Sequence, residues 1–186
     1  MSNRTEITMQ TRQNLLDAFW GLYCEKGIEK ISVREITEKA GYNRGTFYEY
    51  FKDVYDVLEQ IEQSIIPTLD QIPPISIQSK MHGMPMDSFV ELFQKNKKYY
   101  LVLLGDHGDP GFASRLKNSL KPLILNEFSN KSRENQIELD YVMEYTLSAM
   151  IGIMSYWFSQ KKKLPNEQLM NLINKLMEEG VTKLLV

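Results

Sequence analysis

The side chains best suited to catalysis are scarce in this chain. It carries two histidines, His82 and His107, and a single cysteine, Cys24. No nucleophile elbow, phosphate-binding loop, dinucleotide glycine pattern or zinc-ligand spacing occurs, so the sequence points away from an enzyme and toward no cofactor. Asp106, His107 and Asp109 are metal-ligand types, but they lie in Gly105-Asp106-His107-Gly108-Asp109-Pro110-Gly111. Crowded Gly, Asp and Pro there suit a turn that leads into a helix, and that is their expected role, with no metal. His82 has no partner motif. Cys24, among Phe19, Trp20, Leu22 and Tyr23, is expected to be a small buried hydrophobe in a reducing compartment.

A second group of polar residues is denser, in Asn43-Arg44-Gly45-Thr46-Phe47-Tyr48-Glu49-Tyr50-Phe51-Lys52. Phe47 and Phe51 lie four apart and so face one core of a helix. Arg44, Thr46, Tyr48 and part of Tyr50 must then project elsewhere. Such a donor-rich surface on a short helix suits double-stranded DNA. The Thr46 and Tyr48 hydroxyls and the Lys52 ammonium fit phosphate oxygens, and Arg44 fits guanine in bidentate fashion. Gly45 has no side chain, which lets the backbone approach a duplex closely. Glu49 either faces solvent, the favoured reading, or accepts from cytosine.

The flanking elements must hold these residues in place. Leu15, Phe19, Leu22 and Tyr23 recur at helical spacing over about Thr11 to Lys26, and Gly27 ends that helix. Ser32 and Glu35 form a capping box that starts a second helix, with Ile31 and Ile36 placed as a hydrophobic staple. That helix runs to Ala40 and stops at Gly41. Asn43 caps a third, Arg44 to Phe51, and Asp53 a fourth, with Val54, Val57, Leu58, Ile61 and Ile65 on one face and Pro67 at its end. Two short helices joined by a Gly-containing turn and packed on a longer one make a helix-turn-helix arrangement. Spacing alone does not separate a DNA reader from a plain three-helix core.

With these residues in view, the stretch from Ile31 to Leu58, and above all Gly45-Thr46-Phe47-Tyr48 with Tyr50-Phe51, resembles the TetR family of bacterial regulators. The resemblance covers about the first third of the chain. It implies an all-α fold, with a DNA-binding domain at 8–68 and a larger helical regulatory and dimerisation domain at 69–186. It also implies DNA-contact roles for Ser32, Arg34, Asn43, Arg44, Gly45, Thr46, Tyr48, Tyr50 and Lys52. In one departure, the lysine usual at the first turn of helix four is Val54 here, so phosphate anchoring should be weaker. The implied function is a repressor that binds a pseudo-palindromic operator as a homodimer and is released by a small-molecule effector. An activator or co-activator of the same fold, controlled by a protein partner, is the alternative.

Composition neither opposes nor demands this. The 186 residues are 42% hydrophobic and 25% charged, with a net charge of −2, so any cationic surface must come from placement. Between Lys30 and Lys52 the cations Lys30, Arg34, Lys39, Arg44 and Lys52 exceed the acids Glu35, Glu38 and Glu49. The polar start of the chain is no signal or anchor, and Ala149 to Phe158 is too short to span a bilayer, so a cytoplasmic protein without membrane contact is expected.

After Pro67, the residues Pro73, Pro74, Gly83 and Pro85 mark a helix-poor connection. Helical spacing resumes near Met86, over Ser88 to Asn96, Lys98 to Leu104 and Phe112 to Phe128. From Glu134 to Lys161, Leu139, Met143, Leu147, Met150, Met154 and Trp157 share a broad face, yet Tyr145, Ile151, Ile153 and Phe158 are apolar elsewhere. A helix apolar on more than one side buries a second side in a large core or against another subunit. Pro165 opens a last helix with Leu169, Leu172, Ile173, Leu176 and Leu184, antiparallel to it, and two such pairs make a four-helix dimer interface. Phe89, Phe93, Tyr100, Phe112, Met143, Met150 and Trp157 either line an effector pocket or form core; residue type does not separate the two.

Overall fold

Every element described in the computed structural model is helical. It describes residues 3–68, 93–105, 108–128, 136–160, 164–176 and 180. Two compact units divide the chain, Met1–Ile65 and Ile66–Val186.

The first unit begins with α1 (Asn3–Lys26), which starts eight residues before the apolar periodicity does. No Gly or Pro interrupts Asn3 to Thr11, so the helix propagates outward through residues that bury little, and Ile7 and Met9 stay exposed. Leu15, Phe19 and Tyr23 form its buried stripe. Cys24 is exposed, contrary to the sequence expectation. It lies seven residues, or two turns, after the exposed Asp17, so it shares the wet face although its neighbours in sequence are aromatic. Partial burial and the nearby Glu25 carboxylate push its thiol pKa up, which opposes thiolate chemistry.

A 3-10 turn (Ile28–Lys30) leads to α2 (Val33–Ala40). The capping box is present in full: Ser32 Oγ accepts from the Glu35 amide, and Glu35 Oε2 accepts from the Ser32 amide at 3.0 Å. Ile31 and Ile36, the staple positions, are both buried. Gly41 ends the helix at φ 78°, a left-handed conformation that costs an L side chain about 1–2 kcal/mol. Next come α3 (Arg44–Tyr48) and α4 (Val54–Ile65). α1 packs on α2 and α4, and α2 packs on α3.

The third helix ends three residues before its expected limit at Phe51. The cause is the start of α4, where Asp53 Oδ1 accepts from the amides of Tyr55 and Asp56, and Asp56 Oδ2 takes the Lys52 amide at 2.8 Å. Those caps take over from the Lys52 amide onward, while Glu49 keeps right-handed helical geometry and the Phe51 amide still donates to the Phe47 carbonyl. Phe51 remains buried beside Phe47, with ring centroids 5.4 Å apart.

In the second unit a helical turn at 93–95 precedes α5 (Lys97–Leu103). Then follow α6 (Phe112–Phe128), α7 (Gln136–Ser159) and α8 (Asn166–Leu176). The connection marked by Pro73, Pro74, Gly83 and Pro85 lies outside the described residues, as do Phe89, His82, Asp106, His107 and Leu184. Tyr100, Phe112, Leu116, Leu120, Met143, Leu147 and Met150 are buried. α7 packs on α5 and α6, and the Ser155 hydroxyl donates to the Leu104 carbonyl. Ion pairs from Lys117 to Glu144 and from Lys121 to Asp140 lie along the α6–α7 seam, and Lys117 holds the Glu144 carboxyl below its usual pKa. Asp109 accepts from the Gly111 amide and pairs with Arg115, the role of a residue at a turn. No group of metal-ligating residues occurs among the described residues. No helix among them is long and apolar enough to cross a membrane.

Candidate nucleic-acid interface

The α3 helix is only five residues long, too short to persist by its own hydrogen bonds. Two devices hold it. At its start Asn43 Oδ1 accepts from the Thr46 amide at 2.9 Å and from the Thr46 hydroxyl at 3.3 Å. From its underside Phe47, at 0% exposure, anchors it in the core of the first unit. With Phe47 inward, Arg44, Gly45 and Tyr48 are exposed, and Thr46 is half-buried. Tyr48 stands edge-on to Phe47 at 5.5 Å and leaves 59% of its surface to solvent. Its hydroxyl is therefore held on a rigid ring.

Gly45 also leaves room for the cap. A Cβ at that position would sit 3.0 Å from Asn43 Oδ1, so any side chain there presses on the cap.

The remaining sequence-named residues surround this helix. Ser32 is exposed at the start of α2, with its hydroxyl and amide both engaged by Glu35. Arg34 is exposed and pairs with Glu38 at 2.6 Å, one turn along the helix, so any outside anion would have to compete with that carboxylate. Lys52 is exposed, and Tyr50 is half-buried with its carbonyl accepting from Gln60. No ion pair among the described residues engages Arg44 or Lys52, which leaves both cations available to an anion. Val54, in place of a lysine, is half-buried in the first turn of α4. Glu49 is exposed at the C-terminal end of α3.

Several supports had no signature in the sequence. Arg12 donates to Gln60 at 2.6 Å and stacks over the Phe51 ring at 5.7 Å, and Gln60 reaches back to Asp56 and to the Tyr50 carbonyl. This network ties α1 to the turn after α3 across 48 residues of sequence. Asn14 donates to the Tyr42 hydroxyl at 3.0 Å, which fixes the turn before it. Lys26 pairs with Glu35, so the α2 capping box is also tethered to the end of α1. That pairing first, and the Ser32 bonds second, hold the Glu35 carboxyl down at about 2.

Comparison with known proteins agrees with this geometry. Residues 86–179 match a family model described as "Transcriptional regulator C-terminal region". Residues 15–61 match the one described as "Bacterial regulatory proteins, tetR family". The HTH-type transcriptional regulator AcrR of Shigella flexneri is 30% identical over 93 residues, which are 50% of this chain and 43% of that protein. YvdT of Bacillus subtilis, an uncharacterized HTH-type transcriptional regulator, is 35% identical over 72 residues, 38% of this chain and 34% of that one. The matches thus span less than half the length of these curated relatives. A TetR transcriptional regulator from Streptococcus agalactiae shares the fold at a TM-score of 0.68 and 20% identity, over 94% of this chain and 97% of that one.

Proposed function

The chain belongs to the TetR family of bacterial regulatory proteins, a family of transcriptional regulators and not of enzymes, and from that premise we propose that it is a repressor. It binds a pseudo-palindromic operator as a homodimer and leaves the DNA when an effector occupies the second unit. The observation that carries this reading is the construction of α3. A helix capped by Asn43 and pinned by Phe47 turns Arg44, Gly45 and Tyr48 to solvent, and Arg44 and Lys52 have no ion-pair partner among the described residues. Arg44 reads a base edge, Ser32, Arg34, Thr46, Tyr48, Tyr50 and Lys52 hold phosphates or the backbone, Asn43 serves through the cap that orients them, and Gly45 lets the duplex approach. Residues 8–68 are then the DNA-binding domain, and 69–186 the regulatory and dimerisation domain.

Dimerisation is supported by α7. Ile137, Tyr141, Tyr145 and Tyr156 are 77%, 74%, 68% and 68% exposed. At 100° per residue they fall within an arc of about 100°, together with the exposed Ser148 and Gly152. A tyrosine-rich stripe with small residues at its middle suits a second helix crossing closely, and the exposed Leu172 and Leu176 extend the apolar surface onto α8. A twofold-related pair of α7–α8 hairpins covers this stripe and sets two recognition helices about 34–36 Å apart, one turn of DNA.

Selection of bound duplexes from a random library tests this reading. It predicts enrichment of an inverted repeat, and light scattering at twice the 21.7 kDa chain mass. Recovery of no enriched sequence, or a monomeric mass at micromolar concentration, overturns it.

A further inference from the structure

The second unit contains a cavity of about 160 Å³ at the end of the α7–α8 hairpin, away from the fully buried centre of that unit. Tyr100, Phe112, Leu116 and Met143 are packed to 0% exposure and line no part of it. Of the described residues expected from sequence to line an effector pocket or form core, Phe93 and Trp157 reach this cavity, while Tyr100, Phe112, Met143 and Met150 are buried and do not line it. Its apolar walls are Phe93, Met154, Trp157, Phe158, Leu169 and Met170. The Trp157 Nε1 donates to the Leu164 carbonyl at 2.8 Å, which fixes the indole as a flat wall. Two thioethers complete the lining, and methionine sulfur adapts to ring edges.

Size and charge narrow the occupant. A cavity of roughly 150 Å³ lined by apolar side chains holds a single six-membered ring. Its polar lining among the described residues is Lys97, Gln94 and Asn166, and the one charged group in that set is the Lys97 ammonium. Glu167, the acid in the same turn as Asn166, is exposed and does not line it. An ammonium and two amides together supply donors for a carboxylate, whereas a cation would meet Lys97 and be repelled.

We propose that this cavity binds a small monocyclic arene carboxylate, with the ring between Trp157, Phe93 and Met154 and the carboxylate at Lys97, Gln94 and Asn166. The inference rests on reading the second unit as the regulatory domain, and it places the effector site at the hairpin end in place of the central core.

Calorimetry on the full-length protein with benzoate and its neutral isostere benzamide tests it. Because Lys97 is exposed, its ion pair is screened, and the preference for benzoate is expected to be about tenfold and to fall at high salt. Lys97→Met should lower benzoate affinity to the benzamide level, and Met154→Trp should abolish binding of both by filling the space. Lys97 is a surface position, so its variant folds and remains informative even if Met154→Trp does not. Equal affinity for the two ligands, a retained preference in Lys97→Met, or binding of neither overturns the inference. Duplex binding measured on the same unliganded preparation separates the two failures. Retained DNA binding without benzoate binding removes the cavity site alone, and lost DNA binding removes the regulatory reading on which it rests.

Discussion

Replacing Asn43 isolates how much of the recognition helix depends on its cap. In Asn43→Ala the Thr46 amide and hydroxyl lose their shared acceptor, at 2.9 and 3.3 Å, while Phe47 remains to hold the helix. Loss of an N-cap costs about 1 kcal/mol, and Ser is as good a cap as Asn. Asn43→Ser should therefore retain wild-type stability in chemical denaturation, and Asn43→Ala should fall by about 1 kcal/mol. Hydrogen exchange at the Thr46 amide should accelerate about fivefold in the alanine variant only. For operator binding the cap sets an upper bound. If the free helix frays completely and DNA must re-form both copies, about 2 kcal/mol is lost per dimer, or about thirtyfold in affinity. The slope of log affinity against log salt should not change, because no charge is removed. A serine variant as defective as the alanine one, or a loss well beyond thirtyfold, refutes the cap account and assigns Asn43 a direct contact.

Other outcomes follow from neighbouring features. Since Glu35 is held at about 2 against an ordinary value of 4.5, the advantage of wild type over Glu35→Gln is full above pH 4.5 and disappears as pH falls toward 2; thermal melting across that range checks it. Gly152→Arg meets open space at its Cβ and improves helix propensity, so the protomer should stay folded while light scattering reports the 21.7 kDa monomer. Arg44→Ala should relax sequence preference, whereas Tyr48→Ala should weaken all duplexes similarly; equal relaxation by both, in competition binding against mutated operators, contradicts the assigned roles.

The local rules of the first unit were legible because each is written in adjacent residues. Ser32 with Glu35, Gly41, Asn43 and Asp53 are caps and stops whose geometry depends on residues three apart, and Phe47 with Phe51 declares a face. The end of α3 was not legible, since it depends on Asp56 capturing the Lys52 amide in competition with another helical turn. Cys24 was misplaced by its aromatic neighbours in sequence, where helical phase decided. The Arg12–Gln60 and Lys26–Glu35 ties join elements distant in sequence, and nothing in either partner's local surroundings announces them. In the second unit the apolar excess of α7 was visible, but not which side remained open. Only the fold separates Met143 and Leu147, buried on α5 and α6, from Tyr141 and Tyr145, left at the surface.

The most direct test of the central claim is the salt dependence of duplex binding by the purified protein. Lys52 from both protomers releases counterions when it meets phosphates, and Arg34 does so to the extent that it leaves Glu38. The account predicts binding at 50 mM salt with a log–log slope between about −2 and about −4. Absence of binding at that salt, or a slope near zero, contradicts it.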